Sequence, residues 1–268
     1  MNSDATFQIG KDHTVCEDYA LSGAIGQPNF AYAVVCDGCS ASPEVDFGAQ
    51  VVARSAECAA NSAAVAQKFP SANEIGELIT LRARKIWEVF PALHPQALDA
   101  TCLMAMVKDG ELYAYLFGDG VIIHRSEGRI IAHHVALSSG APDYLSYSLD
   151  KRRRAAYDLL PDNIKEIEHW WNGELHQTGK FTQKPFEPLA ITGVVLPGDT
   201  ISVISDGINS FRKSDNTPIP WQDLVEDFTG FKNFEGQFVQ RRISAFKRKC
   251  LKEGWHHLDD ISIATVVV

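Results

Sequence analysis

The 268 residues are 45% hydrophobic and 22% charged, and 34 acidic side chains against 25 basic ones leave a formal charge of -9. This is ordinary composition for a chain long enough to bury a core without disulfide staples, and it argues against bulk nucleic-acid binding, which needs a basic footprint. No apolar run approaches the roughly 18 residues needed to span a bilayer, so no membrane partner is expected.

Residues 1–15 carry neither the basic nor the apolar segment of a signal peptide. Six cysteines (Cys16, Cys36, Cys39, Cys58, Cys102, Cys250) fall without a framework-like rhythm. Reduced thiols in a cytoplasmic protein are therefore expected. Residues 30–36, Phe-Ala-Tyr-Ala-Val-Val-Cys, form a continuous apolar run ending at Asp37-Gly38, the pattern of a strand buried on both faces. The alanine-rich stretch at about 45–67 suits a tightly packed helix. A second helix is signed by a Ser71–Glu74 capping box, with Ile75, Leu78, Ile79, Ile86, Val89 and Phe90 on one face and Pro91 to stop it.

Residues 101–108 and 112–119 read as a hairpin turning at Asp109-Gly110. A further strand pair, 121–124 and 129–136, is joined through Glu127-Gly128. Residues 138–189 are less regular, with mixed charge, Trp170-Trp171 and several prolines. No flexible linker flanks them, so they are expected to be a flap inserted in a single domain spanning 1–268. Strand character returns at 200–205, ending in Asp206-Gly207, and helices are predicted at about 221–228 and 235–252. The second carries Val239, Ile243, Phe246 and Cys250 on one face, and Asp259-Asp260 then opens a last, β-branched strand at 261–268. Hairpins and paired helices, rather than strict βαβ alternation, predict an α+β class with antiparallel sheets covered by helices.

Three strands thus run into an Asp-Gly pair, at Asp37-Gly38, Asp119-Gly120 and Asp206-Gly207, and a fourth begins just after Asp259. In antiparallel sheets the C-terminal ends of some strands and the N-terminal end of another share an edge, so four carboxylates can converge on one rim. Hard oxygen ligands of this kind suit Mg²⁺ or Mn²⁺. Each glycine lets the backbone turn sharply, and at Gly38 could expose a carbonyl as a further ligand. A single Asp-Gly is a common turn former; the ordered set is what points to a metal centre.

In this order the pieces resemble the metal-dependent protein phosphatases of the 2C type, the PPM family, in a divergent, prokaryotic-like form. Cys16-Glu17-Asp18 is similar to that family's N-terminal acidic pair, and Val35-Cys36-Asp37-Gly38 with Gly48, Ala49 and Ala53 to its first Asp-Gly motif. Asp99-Ala100-Thr101 stands where the family often has Gly-Ser/Thr-Thr. Phe117-Gly118-Asp119-Gly120, Ile204-Ser205-Asp206-Gly207-Ile208 and Asp259-Asp260-Ile261-Ser262 resemble its later motifs.

The resemblance implies a four-layer αββα sandwich: two mainly antiparallel sheets flanked by helix pairs. It also implies two Mn²⁺ or Mg²⁺ ions, with Asp37 bridging them, the Gly38 carbonyl on one, and Asp206 and Asp259 on the other. Glu17 and Asp18 would hold waters, and Asp119 with Asp206 a third, weaker site. Asp37, Asp18 and His13 are then the candidate catalytic residues. The implied reaction is hydrolysis of phosphoserine or phosphothreonine in phosphorylated proteins by an activated water, without a covalent intermediate. A pseudophosphatase that only binds phosphoproteins, and a small-molecule phosphohydrolase, are the alternatives. Two departures bear on this choice: Cys39 stands where well-known members have histidine after the first Asp-Gly, and His13 stands near the place of their phosphate-binding arginine.

The remaining signals read more plainly. Cys36-x-x-Cys39 lacks the second pair a zinc site needs. Adjacent histidines, His133-His134 and His256-His257, point to opposite faces of a strand and suit packing better than ligation. Lys151-Arg152-Arg153-Arg154 reads as a solvated helix face, with docking of an acidic or phosphorylated partner as the alternative. Trp170-Trp171 suits flap packing or a partner anchor.

Overall fold

The computed structural model describes residues 1–26, 29–66, 68–90, 92–160 and 164–268, with the backbone alone for 177–179. In chain order the strands and helices are β1 (Asn2–Gln8), β2 (Asp18–Ile25), β3 (Phe30–Asp37), α1 (Val45–Ala64), α2 (Ala72–Trp87), β4 (Cys102–Lys108), β5 (Glu111–Phe117), β6 (Gly120–Ser126) and β7 (Arg129–Leu137). They continue as α3 (Lys151–Asp158), β8 (Lys165–Trp171), β9 (Glu174–Gln183), β10 (Leu189–Val194), β11 (Thr200–Ile204), β12 (Phe211–Arg212), α4 (Trp221–Thr229), α5 (Phe238–Glu253), β13 (His256–His257) and β14 (Ile261–Val267). One sheet runs β10-β5-β4-β3-β2 and the other β1-β14-β11-β6-β7-β8-β9, with antiparallel pairing throughout. No helix among the described residues is long and apolar enough to cross a membrane.

The period-2 alternation of the central strands creates four layers. Phe30, Tyr32, Val34 and Cys36 of β3 face α1 and α2, together with Met104 and Met106 of β4. The intervening Ala31, Ala33 and Val35 meet Ile201, Val203, Ala264 and Val266 of the other sheet. The far face of that second sheet packs Ile204, Ile261 and Ile263 against α4 and α5, through Leu224, Phe228, Val239, Ile243 and Phe246. Strands buried on both sides explain the unbroken apolar runs, and the result is the αββα sandwich. Helix α1 lies close because alanines line its buried face; at Gly48 a Cβ would stand 1.5 Å from the carbonyl oxygen of Ala97.

Several predicted boundaries shift. Helix α1 ends at Ala64, and Gln67 lies outside the described residues, as does Pro91. The Ser71–Glu74 capping box is present, but α2 ends at Trp87, so Val89 and Phe90 fall beyond it and are exposed. Phe90 packs instead edge-on to Phe47. Residues 138–189 contain α3, β8 and β9, and the two strands extend the seven-stranded sheet beyond β7. Trp170 packs on Trp221 while Trp171 is exposed.

The topology brings the acidic strand ends to one rim. Asp18, first in β2, pairs with Asp37, last in β3. Asp119 links β5 to β6, whose Val121 pairs with Ile204 at the end of β11. Asp206 follows β11, and Asp259 precedes β14, which is antiparallel to it.

Candidate metal centre

The Asp37 turn is held from two sides. Its backbone N–H donates to Thr101 Oγ1 at 3.2 Å, and its carbonyl accepts from the Thr101 N–H at 2.8 Å. The Gly38 N–H donates to the Glu17 carbonyl at 3.2 Å and the Cys39 N–H to the Asp99 carbonyl at 2.8 Å. The loop that would present the Gly38 carbonyl is therefore clamped between the 16–18 and 99–101 segments. Beside it, the buried Asp18 accepts the Ser205 hydroxyl on Oδ2 at 2.7 Å, and Ser205 Oγ accepts the Ser262 N–H at 3.0 Å. These bonds tie β2 to the ends of β11 and β14 across the two sheets.

Asp119, Asp206 and Asp259 complete the rim. Gly118 and Gly120 flank Asp119 with φ of 98° and 129°, a backbone reversal that L side chains resist. At Gly207 a Cβ would stand 1.7 Å from the Asp260 carbonyl oxygen, so only glycine lets the Asp206 turn approach the start of β14.

The electrostatics of this rim are those of negative charge gathered out of water. Burial pushes Asp18 up to about 7, against the pull of the nearby Ser262 and Ser205 hydroxyls. Burial, then the Asp18 and Asp206 carboxylates, hold Asp37 well above the usual carboxylate range. Asp119 is raised in the same way by burial, Asp206 and Asp143. Asp259 is raised by burial and Asp206, with His13 offsetting part of it. Among the described residues, Asp18 Oδ1 and Asp119 Oδ1 are buried without hydrogen-bond partners, and Glu17 Oε2 has the 3.5 Å approach of His13 Nδ1 in place of a hydrogen bond. Acceptors left bare among like charges fit divalent cations, which would neutralise the cluster and fill the vacant lone pairs.

His13 sits within this acidic ring. Its Nε2 lies 3.2 Å from Asp259 Oδ1, and its Nδ1 lies 3.1 Å from Asp260 Oδ2 and 3.5 Å from Glu17 Oε2. His13, Glu17 and Asp260 bring one ligand atom each within 4.8 Å of one another. Asp260 escaped the sequence reasoning, although the Asp259-Asp260 doublet was its signal: consecutive residues diverge, and the second turns inward. Its buried carboxylate accepts the N–H groups of Gly10 at 2.7 Å and Glu17 at 2.5 Å, fastening the 10–17 segment to β14.

Asp99 was missed as well. Its buried carboxylate collects the Ser146 hydroxyl at 2.6 Å, the Ser42 hydroxyl at 3.2 Å and the Arg153 guanidinium. Ser146 and Arg153 belong to the 138–189 segment, so Asp99 ties that segment to the loop after Asp37. A second tie is the fully buried Lys165, which donates to Asp143 Oδ2 at 2.6 Å and to the Glu187 carbonyl at 3.0 Å.

A four-layer αββα sandwich with acidic strand ends gathered between its sheets defines a metal-dependent phosphatase. The sequence pattern described as Protein phosphatase 2C matches residues 10–246, and the chain belongs to that family. Among solved structures, the Mycobacterium tuberculosis serine/threonine phosphatase PstP/Ppp is similar over 99% of this chain and 97% of that one, at 14% identity and a TM-score of 0.56. The S. agalactiae serine/threonine phosphatase aligns over 99% of this chain and 98% of that one, at 16% identity and a TM-score of 0.53. PppA of Pseudomonas aeruginosa aligns over 98% and 95%, at 15% identity and a TM-score of 0.53. At such identities the likeness is one of fold. No curated protein matches the sequence.

Proposed function

We propose that the chain is a cytoplasmic phosphatase that hydrolyses phosphoserine and phosphothreonine in phosphorylated proteins, as one domain with residues 138–189 as its flap. It would use two Mn²⁺ or Mg²⁺ ions, with a weaker third beside Asp119 and Asp206. The observation that carries this reading is the buried, mutually repelling carboxylate cluster with bare oxygens on Asp18 and Asp119. A pure binding module has no use for such a costly arrangement.

In this reading Asp37, the Gly38 carbonyl, Asp206 and Asp259 would hold the two ions. When bound, the ions supply an activated water and neutralise charge on the phosphoryl oxygens. Asp18 and Glu17 orient water at the rim, and the Ser205 hydroxyl fixes the rotamer of Asp18. His13 would contact the phosphoryl group on releasing one of the carboxylates now against its ring nitrogens, Asp259 at Nε2 or Asp260 at Nδ1.

Hydrolysis of a small aryl phosphate with and without Mn²⁺, followed by a phosphopeptide panel, tests the proposal. Turnover that requires the metal and extends to phosphoserine or phosphothreonine peptides is expected; full activity in EDTA would overturn it. Cys39 and the carboxylate-bound His13 favour a second reading, a phosphoprotein-binding pseudophosphatase. That reading requires metal-independent phosphopeptide binding with no turnover of either substrate.

A further inference from the structure

The first turn of α3 carries Lys151, Arg152 and Arg153 and no acid, although a helix N-terminus disfavours cations. The cap, Asp150, offsets them in part, by accepting the Arg152 and Arg153 N–H groups at 2.8 and 3.3 Å. A local choice that opposes helix stability calls for a reason elsewhere. Arg153 has one, in its bond to Asp99. Lys151 and Arg152 are exposed, and no hydrogen bond or ion pair of their side chains is recorded among the described residues.

Both line a cavity of about 540 Å³ between the end of α2, the 95–98 turn and α3, with Arg84 and Arg153 on the same wall. This volume falls in the range of about 300–1,000 Å³ common for ligand sites. Trp87, Pro95, Leu98 and Leu149 supply an apolar floor, and the Trp87 indole N–H is already used on the Leu93 carbonyl at 3.0 Å. Arg84 is engaged only by the exposed Glu88, at 2.8 Å. Four cations and one carboxylate, Asp150, line the cleft, and with Arg84 and Arg153 already paired, Lys151 and Arg152 supply its uncompensated positive charge. The cleft also adjoins the metal centre: Leu98 on its floor precedes Asp99, whose carbonyl holds the Cys39 N–H.

We propose that this cleft is a docking subsite for an acidic stretch of the phosphoprotein substrate, separate from the carboxylate centre. Lys151 and Arg152 pair with substrate carboxylates or a second phosphate, and an apolar side chain of the substrate lies over Trp87 and Leu149. This rests on the reading that substrates are proteins.

The test uses a fluorescein-labelled phosphoserine peptide flanked by Asp, Glu and Leu, and a second flanked by Lys and Leu. Anisotropy is measured on the full chain in EDTA, so that cations at the carboxylate centre cannot hold the phosphate. The acidic peptide should bind at least about tenfold more tightly than the basic one, and Lys151→Glu/Arg152→Glu should remove at least about tenfold of its affinity. With Mn²⁺, the same variant should raise KM for the acidic phosphopeptide with little change in kcat. Equal binding of the two peptides, or an unaltered affinity in the double variant, overturns the subsite. If the Mn²⁺-loaded protein cleaves aryl phosphate but no phosphopeptide, the protein-substrate reading fails, and the binding arm still decides the cleft.

Discussion

Stripping the cations with EDTA and varying the pH should reveal the charge gathered at the rim of the sandwich. In the metal-free fold Asp18 keeps its proton up to about 7, and Asp37, Asp119 and Asp259 are also raised. An unfolded aspartate releases its proton near pH 4. Between those values the folded chain binds protons that the unfolded chain has lost, so this contribution makes stability fall as pH rises through the window. For Asp18 alone the full loss is on the order of 4 kcal/mol, about three pH units at 1.36 kcal/mol each.

Cations replace those protons, so Mn²⁺ binding should release protons and tighten with pH. From about pH 5.5 to the Asp18 value of about 7, one displaced proton is worth roughly 2 kcal/mol, or about 30-fold in Kd. Buried histidines give the opposite slope, His133 among them, lowered to about 4 chiefly by burial. They act on folding in both metal states and largely cancel from metal affinity. Isothermal titration of Mn²⁺ at about pH 5.5 and 7.5, in buffers of differing ionisation enthalpy, measures both the affinity and the protons released. Equal affinity at the two pH values with no proton release would refute the reasoning.

Asp37→Asn should abolish Mn²⁺ binding and turnover together while circular dichroism shows the fold retained; wild-type stoichiometry by titration would contradict the role proposed for it. Asp119→Ala should keep two Mn²⁺ by titration yet turn over more slowly, since on the proposed ligand map it would remove only the weaker site. Asp99→Ala should destabilise the chain by about 3–5 kcal/mol in urea unfolding, because it strands Arg153 and the Ser146 hydroxyl together. Cys39→Ser should change phosphopeptide turnover by less than about tenfold, below the usual 10²–10⁴ of a general acid, whereas His13→Ala should mainly raise KM.

The readable parts of the sequence were those whose environment is local or symmetric. Strands β3, β4, β11 and β14 lie between two apolar layers, so their composition announces them, and Asp109-Gly110 fixes the β4–β5 turn with both residues at positive φ. Strands β1 and β2 were not foreseen. Asn2–Gln8 is a half-exposed edge strand, so polar residues are tolerated and no alternation of apolar residues marks it. Val89 and Phe90 keep the helical period, yet the chain leaves the helix first. At the centre, Asp-Gly marked the turns, but the roles of Asp99, Asp260 and Lys165 depend on partners 54, 250 and 22 positions away, beyond any local pattern.

The distribution of those carboxylates between the sheets explains why the rim is built as it is. Asp18 and Asp37 belong to the five-stranded sheet, and Asp206 and Asp259 to the ends of strands in the seven-stranded one. Inside the sandwich, Ala31, Ala33, Val35, Val203 and Ala264 hold the sheets together by apolar contact. At the rim that packing gives way to carboxylates, and the Ser205–Asp18 bond is a direct tie across it. Cations shared by both sets would add attraction there, so metal binding should raise the stability of a fold that the apolar contacts already hold. The charge that makes the metal-free rim costly would be offset when cations bind, drawing the carboxylates of both sheets toward one geometry.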